Sequence, residues 1–125
     1  MKRGGVAAAI IMATTLVAAA AGEARADGDG EAVFKKNCML CHSVKPGENK
    51  IGPSLAGIVG RKAGSIAGYH YTDANKNSGA TWDEATLDTY LTDPRKFVPG
   101  TKMTFVGLKN PDDRKAVIAY LKTLQ

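Results

Sequence analysis

The hydrophobic positions near the carboxyl end recur every three to four residues and predict the best-defined helix of the chain. Asn110 is typical of an N-cap, and Pro111 suits the first helical position. Acidic residues in the first turn match the positive end of the helix dipole. The residues expected to face inward are Val117, Ile118, Tyr120, Leu121 and Leu124.

Two further helices are predicted upstream. Thr81 as N-cap and Glu84 match a capping box, and apolar spacing continues the helix over 82–92. Prolines after residue 92 break this pattern, because proline lacks the amide hydrogen. The first helix is predicted over 31–37, with an acidic start and a basic finish.

Residues 43–78 are rich in glycine, asparagine, lysine and proline, and predict a long loop with one short helix at 73–77. An apolar group within it comprises Ile51, Leu55, Ile58 and Val59. No stretch carries a strand pattern of comparable strength. We therefore expect an all-α fold of three main helices, short helices and long loops wrapped around a central group.

The amino-terminal segment has the features of an export signal. A basic start precedes an uncharged run over 6–21, and Ala24-Arg25-Ala26 has the small-x-small form of a cleavage site. These features predict a signal peptide over 1–26 and a periplasmic mature domain over 27–125. A retained membrane anchor is the alternative, but the run is alanine-rich and shorter than the about 20 apolar residues that a spanning helix prefers.

Charge narrows the classes of partner. The chain has 17 basic and 12 acidic residues, and loss of Lys2, Arg3, Arg25 and Glu23 with the signal peptide leaves a net charge of +3. The basic residues are scattered rather than grouped as in nucleic-acid patches, so no nucleic-acid partner is expected. The mature core would be small, and a bound cofactor would enlarge it.

The cysteines carry the most specific chemical signal. Cys38, Cys41 and His42 form a C-x-x-C-H motif. Residues three apart on a helical turn lie about 5 to 6 Å from each other, so both thiols can reach the vinyl groups of one haem. The imidazole would then bind the iron from one face. This spacing is typical of covalent attachment of a single haem c.

A redox-active dithiol and a zinc site are the two other uses that a pair of cysteines could have. A redox-active dithiol usually begins a helix that follows a strand, whereas this motif follows a predicted helix. A zinc site needs further cysteine or histidine ligands, and only His70 remains in the chain. Both alternatives are less favoured than haem attachment.

The second axial ligand must come from elsewhere in the mature chain. Met39 lies between the attachment cysteines and cannot reach around the ring, whereas Met103 lies far downstream in a non-helical stretch. Met103 is therefore the favoured sixth ligand. Simple core packing of Met103 remains open, because methionine commonly fills cores, and His70 is a minor candidate ligand.

From Gly30 to the end, the chain resembles the class I c-type cytochromes, close to mitochondrial cytochrome c and its periplasmic bacterial relatives. Five segments, in order along the chain, carry the resemblance. They are Cys38-Met39-Leu40-Cys41-His42, Ile51-Gly52-Pro53-Ser54-Leu55, Tyr71-Thr72-Asp73-Ala74-Asn75-Lys76-Asn77, Thr81-Trp82 and Pro99-Gly100-Thr101-Lys102-Met103.

The resemblance implies roles for the haem pocket. The Pro53 carbonyl would fix the His42 ring through a hydrogen bond, as partners of metal-bound histidines do. Tyr71 and Trp82 would donate hydrogen bonds to a haem propionate, with Arg61 nearby. From residue type alone, ordinary packing of these aromatic side chains is equally plausible.

Further implied positions lie beside the sixth ligand and at the helix crossing. Asn75, Tyr90 and Thr101 would form a polar network at the Met103 sulfur. Gly30 would let the first helix cross the last helix closely. The positions expected to pack there with Gly30 are Phe34, Tyr120 and Leu121.

A haem with both axial positions filled by protein has no open site for a substrate, so we expect a soluble one-electron carrier rather than an enzyme. The resemblance implies a quinol-oxidising cytochrome bc-type complex or a dehydrogenase as donor and a terminal oxidase or other enzyme as acceptor. We expect a monomer without a membrane span after processing. The basic partner-binding face would comprise Lys36, Lys50, Arg95, Lys96, Lys102 and Lys109.

One competing function keeps the haem but changes its use. A haem enzyme or gas sensor would have a labile or missing sixth ligand. Rapid binding of cyanide or carbon monoxide would favour that alternative, whereas the far-red absorption band of methionine-ligated ferric haem would favour the electron carrier.

Overall fold

The structure, a computed structural model, describes Gly5 and residues 24–125, with side chains described from Asp29 onward. The predicted signal peptide therefore lies almost entirely outside the described residues and stays a prediction. Within the described residues, five helices follow one another: α1 (Ala24–Asn37), α2 (Asp73–Lys76), α3 (Glu84–Thr92), α4 (Pro94–Phe97) and α5 (Pro111–Lys122). Three longer helices and two short ones agree with the predicted all-α fold.

The first and last helices cross closely at Gly30. A Cβ atom at this position would lie 2.1 Å from the carbonyl oxygen of Ala116, so only glycine fits. Beside the crossing, the rings of Phe34 and Tyr120 pack with their centroids 5.5 Å apart. This contact joins the segment before the cysteine motif to the end of the chain.

Helix α1 begins earlier than predicted. The sequence placed its start at Glu31, because an acidic residue suits the first turn of a helix. In the structure the helix begins at Ala24 and includes Gly30. The close crossing with α5 explains why a glycine is retained at an interior position.

The predicted capping box at Thr81 is wrong. The N-cap of α3 is Asp83, whose Oδ1 accepts a hydrogen bond from the Thr86 amide at 2.8 Å, and this bond lowers the pKa of the Asp83 carboxyl. Thr81 instead forms an antiparallel bridge with Lys62. The bridge keeps Thr81 and Trp82 extended, so the helix starts two residues later than predicted.

The helical pattern is interrupted after α3, and the chain there forms a short separate helix. The Asp93 side chain accepts from the Lys96 amide at 3.2 Å, and Pro94 occupies the first turn of the short helix α4. The sequence predicted the break but not this helix.

Helix α5 agrees with its prediction in both its N-cap and its buried face. Asn110 Oδ1 accepts from the Asp112 amide at 2.9 Å. Val117, Ile118 and Leu121 are buried, while the remaining inward-facing positions, Tyr120 and Leu124, are partly buried against the same core.

The core lies between α1, α3 and α5 and continues into the loops. Ile58 is buried in it, but Ile51, which the sequence grouped with Ile58, is 73% exposed. Among the described residues, no helix has the length and apolar character needed to cross a membrane.

Candidate functional site

The cysteine motif lies where α1 ends. The Cys38 amide donates to the Phe34 carbonyl at 2.7 Å, which continues the helical turn. The amides of Cys41 and His42 both donate to the Cys38 carbonyl, at 3.1 and 2.9 Å. A compact turn therefore presents both thiols and the imidazole from one short segment.

This position does not suit a thiol oxidoreductase. The negative end of a helix dipole disfavours a thiolate, and reactive cysteines need a lowered pKa. Burial, with a smaller effect of Cys41, raises the pKa of the Cys38 thiol to about 11. The turn thus lacks the electrostatics of a redox-active dithiol.

The imidazole of His42 is fixed by the loop that follows it. Its Nδ1 lies 2.7 Å from the Pro53 carbonyl oxygen, the arrangement that the resemblance implies. A proton on Nδ1 leaves Nε2 available as a metal donor. Burial lowers the pKa of His42, against an opposite effect of the Pro53 bond, and so favours the neutral ring that a metal ligand requires.

Gly52 lies flat against this ring, a contact that the sequence reasoning missed. A Cβ atom at residue 52 would lie 2.3 Å from Cε1 and 2.6 Å from Nδ1 of His42. The Gly52 amide also donates to the Cys41 carbonyl at 2.7 Å. The only feature of the sequence that could have indicated this contact is the glycine next to a proline in the segment 51–55.

Ser54, which is 1% exposed, organises the loop behind the Pro53 carbonyl. Its hydroxyl donates to the Lys45 carbonyl at 2.6 Å and accepts from the Ala56 amide at 3.2 Å. The Arg61 guanidinium donates to the carbonyls of Ser54 and Ala56 at 3.0 and 3.1 Å. Arg61 is therefore held by backbone oxygens of this loop, and its place near a propionate stays a prediction.

Met103 makes hydrogen bonds with two of the three polar side chains expected near it, Tyr90 and Thr101. The Tyr90 hydroxyl donates to Met103 Sδ at 3.1 Å, and the Met103 amide donates to the Thr101 hydroxyl at 3.2 Å. Burial raises the pKa of Tyr90 to about 12, so its hydroxyl remains a donor at neutral pH. Within the described part of the chain, Asn75 Oδ1 is a buried polar atom without a hydrogen-bond partner.

The two aromatic side chains assigned to a propionate have different surroundings. Trp82 is buried, with its ring centroid 4.6 Å from that of Tyr90. The Tyr71 hydroxyl accepts from the Ile66 amide at 3.2 Å, which leaves its hydrogen available for donation to another group.

The alternative axial ligands lie in less suitable places. His70 is exposed, and its carbonyl accepts from Lys102 Nζ. Met39 is 47% exposed beside the attachment cysteines. Across residues 24–125, no three histidine, cysteine or acidic side chains converge as a metal cluster would require.

All six predicted partner-binding residues are exposed, and three of them also hold backbone groups. Lys50 Nζ donates to the Met39 carbonyl at 3.1 Å, and Lys109 Nζ donates to the Thr92 carbonyl at 2.7 Å. Lys102 also lies 4.6 Å from the centroid of the Tyr69 ring. The others are Lys36, Arg95 and Lys96.

The residues fit a covalently attached haem. Haem c needs two thiols for attachment, and the turn at Cys38 and Cys41 supplies them. His42 offers one imidazole nitrogen to the iron while its other nitrogen is bonded to Pro53. The Met103 thioether, bonded to the Tyr90 hydroxyl, offers a sulfur as second ligand. The unpartnered Asn75 oxygen marks a buried polar position suited to a further group. Fold and site together define a c-type cytochrome.

Comparison with known proteins agrees with this class. The cytochrome c family profile matches residues 28–125. Cytochrome c2 iso-2 of Magnetospirillum molischianum is 61% identical over 88 residues, which cover 70% of this chain and 91% of the relative. Cytochrome c2 of Rhodomicrobium vannielii is 60% identical over 95 residues, covering 75% of each chain.

Similarity extends to a plant protein and to a solved structure. Cytochrome c of Arabidopsis thaliana is 55% identical over 94 residues, covering 74% of this chain and 84% of the relative. The structure of cytochrome cH from Methylobacterium extorquens has a TM-score of 0.73 at 48% identity, covering 78% of this chain and 97% of that one. The chain belongs to the cytochrome c family, and is a class I electron carrier, not an enzyme, with one covalently bound haem c.

Proposed function

We propose that the mature chain is a monomeric periplasmic one-electron carrier with His42 and Met103 as axial ligands. In this proposal residues 1–26 are removed on export. The carrier accepts electrons from a quinol-oxidising cytochrome bc-type complex or a dehydrogenase and passes them to a terminal oxidase or another acceptor. Relatives described as cytochromes c2 support this assignment.

The observation that carries the proposal is the hydrogen bond from Tyr90 to Met103 Sδ. It holds the thioether in place, while Pro53 holds His42 on the other side. When bound, the haem supplies a reversible ferric–ferrous couple. Because hydrogen bonds hold both side chains in place, the protein should need little rearrangement as the charge changes.

The face around the cysteine motif has an apolar centre as well as lysines. Leu40 is 85% exposed and Ile51 is 73% exposed. The bonds from Gly52 to Cys41 and from Lys50 to Met39 bring their two segments side by side. Acidic groups on a partner would pair with the lysines, and an apolar partner surface would cover Leu40 and Ile51.

Salt dependence tests the charged part of this face. The reaction rate with an isolated redox partner should fall as ionic strength rises above about 0.1 M, where screening shortens to about 10 Å. Substitution of Lys50 by Gln should flatten that dependence, whereas Lys115→Gln on α5 serves as a charge-matched control. A parent rate independent of salt would contradict the role of the basic face.

Cyanide binding tests the ligation against the haem enzyme or gas sensor. The ferric parent should show the far-red methionine band and bind cyanide slowly, and Met103→Ala should lose the band and bind cyanide fast. Fast binding to the parent without the band would favour the competing function. Intact mass of exported protein tests haem attachment and cleavage after Ala26 in the same sample.

A further inference from the structure

We propose that Arg114, with Asp88 and Lys109, forms a clamp that sets how readily Met103 leaves the iron. This inference rests on the proposed ligation by Met103. Arg114 is a positioning residue, because it acts through the backbone that carries the ligand.

The segment that carries Met103 has few bonds of its own. Residues 101–110 contain no helix or strand. Near its start, the Thr101 amide donates to the Val98 carbonyl at 3.0 Å. Near its end, the Leu108 amide donates to the Leu91 carbonyl at 2.7 Å. Between these ends, side-chain bonds join Met103 to Tyr90 and Lys102 to the His70 carbonyl. The backbone path of the segment therefore depends on how well its two ends are anchored.

Arg114 anchors the second end. Its side chain is 12% exposed, and its Nε donates to Asp88 Oδ1 on α3 at 2.8 Å. A terminal nitrogen of the same guanidinium donates to the carbonyls of Leu108 and Lys109 at 2.8 and 3.2 Å. One planar group from α5 thus ties the methionine segment to α3, and charge-assisted bonds of this kind are the stronger ones.

The same junction caps the carboxyl end of α3. The last carbonyls of a helix lack partners within it. Here Lys109 Nζ donates to the Thr92 carbonyl at 2.7 Å, and a Cβ atom at Gly107, whose φ is +111°, would lie 2.2 Å from that oxygen. Because α3 also carries Tyr90, the clamp positions both Met103 and the hydroxyl that holds its sulfur.

The chain offers a matched control for this clamp. Lys122 and Glu84 form a second ion pair between α5 and α3. Both partners of that pair are about half exposed, at 54% and 55% of the side chain, and neither contacts residues 107–109 in the bonds described. Breaking it loosens the same two helices without touching the methionine segment.

The test compares Arg114→Ala, Arg114→Lys and Asp88→Asn with Lys122→Ala, using the ferric haem-loaded protein. The readouts are the cyanide binding rate and the alkaline pH at which the far-red band is half lost. Arg114→Ala should bind cyanide about tenfold faster and lose the band at a lower pH. The variant loses the charge-assisted bonds of the guanidinium, and the loss of one such bond changes an equilibrium by about tenfold or more. Asp88→Asn should shift both in the same direction by less, and Arg114→Lys should fall between parent and Arg114→Ala.

Lys122→Ala should keep the cyanide binding rate and the alkaline midpoint of the parent, even if urea unfolding shows that this variant is less stable. Parent-like rates in folded Arg114→Ala would overturn the clamp, and if that variant fails to fold, a parent-like rate in Asp88→Asn would do so. A parent without the far-red band would overturn the ligation itself, a result distinguishable from failure of the clamp alone.

Discussion

The two sides of the site are held in different ways. The loop after His42 is fixed from within, since Ser54 and Pro53 make short bonds to neighbours in the same segment. The segment around Met103 is fixed from outside, by Tyr90 on α3 and by Arg114 on α5. Loss of the bonds from Tyr90 or Arg114 should therefore release the methionine while the histidine stays in place.

The largest effect is expected on the histidine side, at Gly52. Substitution by Ala places a Cβ atom within 2.3 Å of the His42 ring, so the ring or the loop must move. We expect a loss of about 3 kcal/mol in the free energy of unfolding, typical of severe overpacking. Urea unfolding of the ferric haem protein measures it.

Gly47→Ala in the same loop is the control for Gly52→Ala. Gly47 has φ +75° but open space around it, so this change costs only the backbone strain of about 1 to 2 kcal/mol. Equal losses from the two variants would show that Gly52 matters for its backbone and not for its contact with His42.

A smaller loss is expected from Ser54→Ala. The change removes the buried hydroxyl and leaves the Lys45 carbonyl and the Ala56 amide, both in partly buried bonds, without their partner, which costs about 1 to 3 kcal/mol. The far-red band should persist, because Met103 is held elsewhere. Ser78→Ala, at an exposed position, should change stability by less than about 0.5 kcal/mol; loss of the band in Ser54→Ala would contradict independent anchoring of the two sides.

Most of the site was predictable because its chemistry is concentrated in short motifs. The C-x-x-C-H turn and the caps of α5 depend on residues adjacent in sequence, and pattern reasoning located them. Thr81 misled it, because a bridge to Lys62, distant along the chain, overrode a good local capping signal.

Contacts between distant residues explain the other gaps. Nothing in the neighbourhood of Gly52 shows that an imidazole ten residues earlier lies against it. Asp88 and Arg114, separated by 26 positions, each look like solvated charges on a helix until the fold brings them together. A glycine or a charged residue in the sequence can indicate that a contact exists, but the sequence alone does not show which distant residue makes it.

On the methionine side, Tyr90→Phe should lower the reduction potential. The hydroxyl withdraws electron density from Met103 Sδ and so favours the ferrous state. One hydrogen bond contributes about 0.5 to 1.5 kcal/mol, and a tenfold change in a one-electron equilibrium is about 59 mV, so the decrease should not exceed about 60 mV. Redox titration measures it, and an unchanged or higher potential would contradict the assigned bond.

The smallest effect concerns acid and returns to the histidine side. The Ser43 hydroxyl bond lowers the pKa of Glu48 below its ordinary value of 4.5. A carboxyl group whose pKa is lowered by folding stabilises the fold at pH values above its ordinary pKa. This contribution is lost as the pH falls through the lowered pKa. Glu48→Gln keeps an acceptor but cannot titrate, so its stability should vary less with pH below 4.5 than that of the parent; identical acid unfolding curves would argue against this bond.

Axial ligation by Met103 is tested most directly by the proton NMR spectrum of the ferrous protein, compared between the parent, Met103→Ala and Met39→Ala. A methionine bound to haem iron lies in the ring current, so its methyl resonance is shifted far upfield. With Met103 as the ligand, this resonance should be present in the parent and in Met39→Ala and lost in Met103→Ala. Its absence from the parent, or its survival in Met103→Ala, would contradict ligation by Met103.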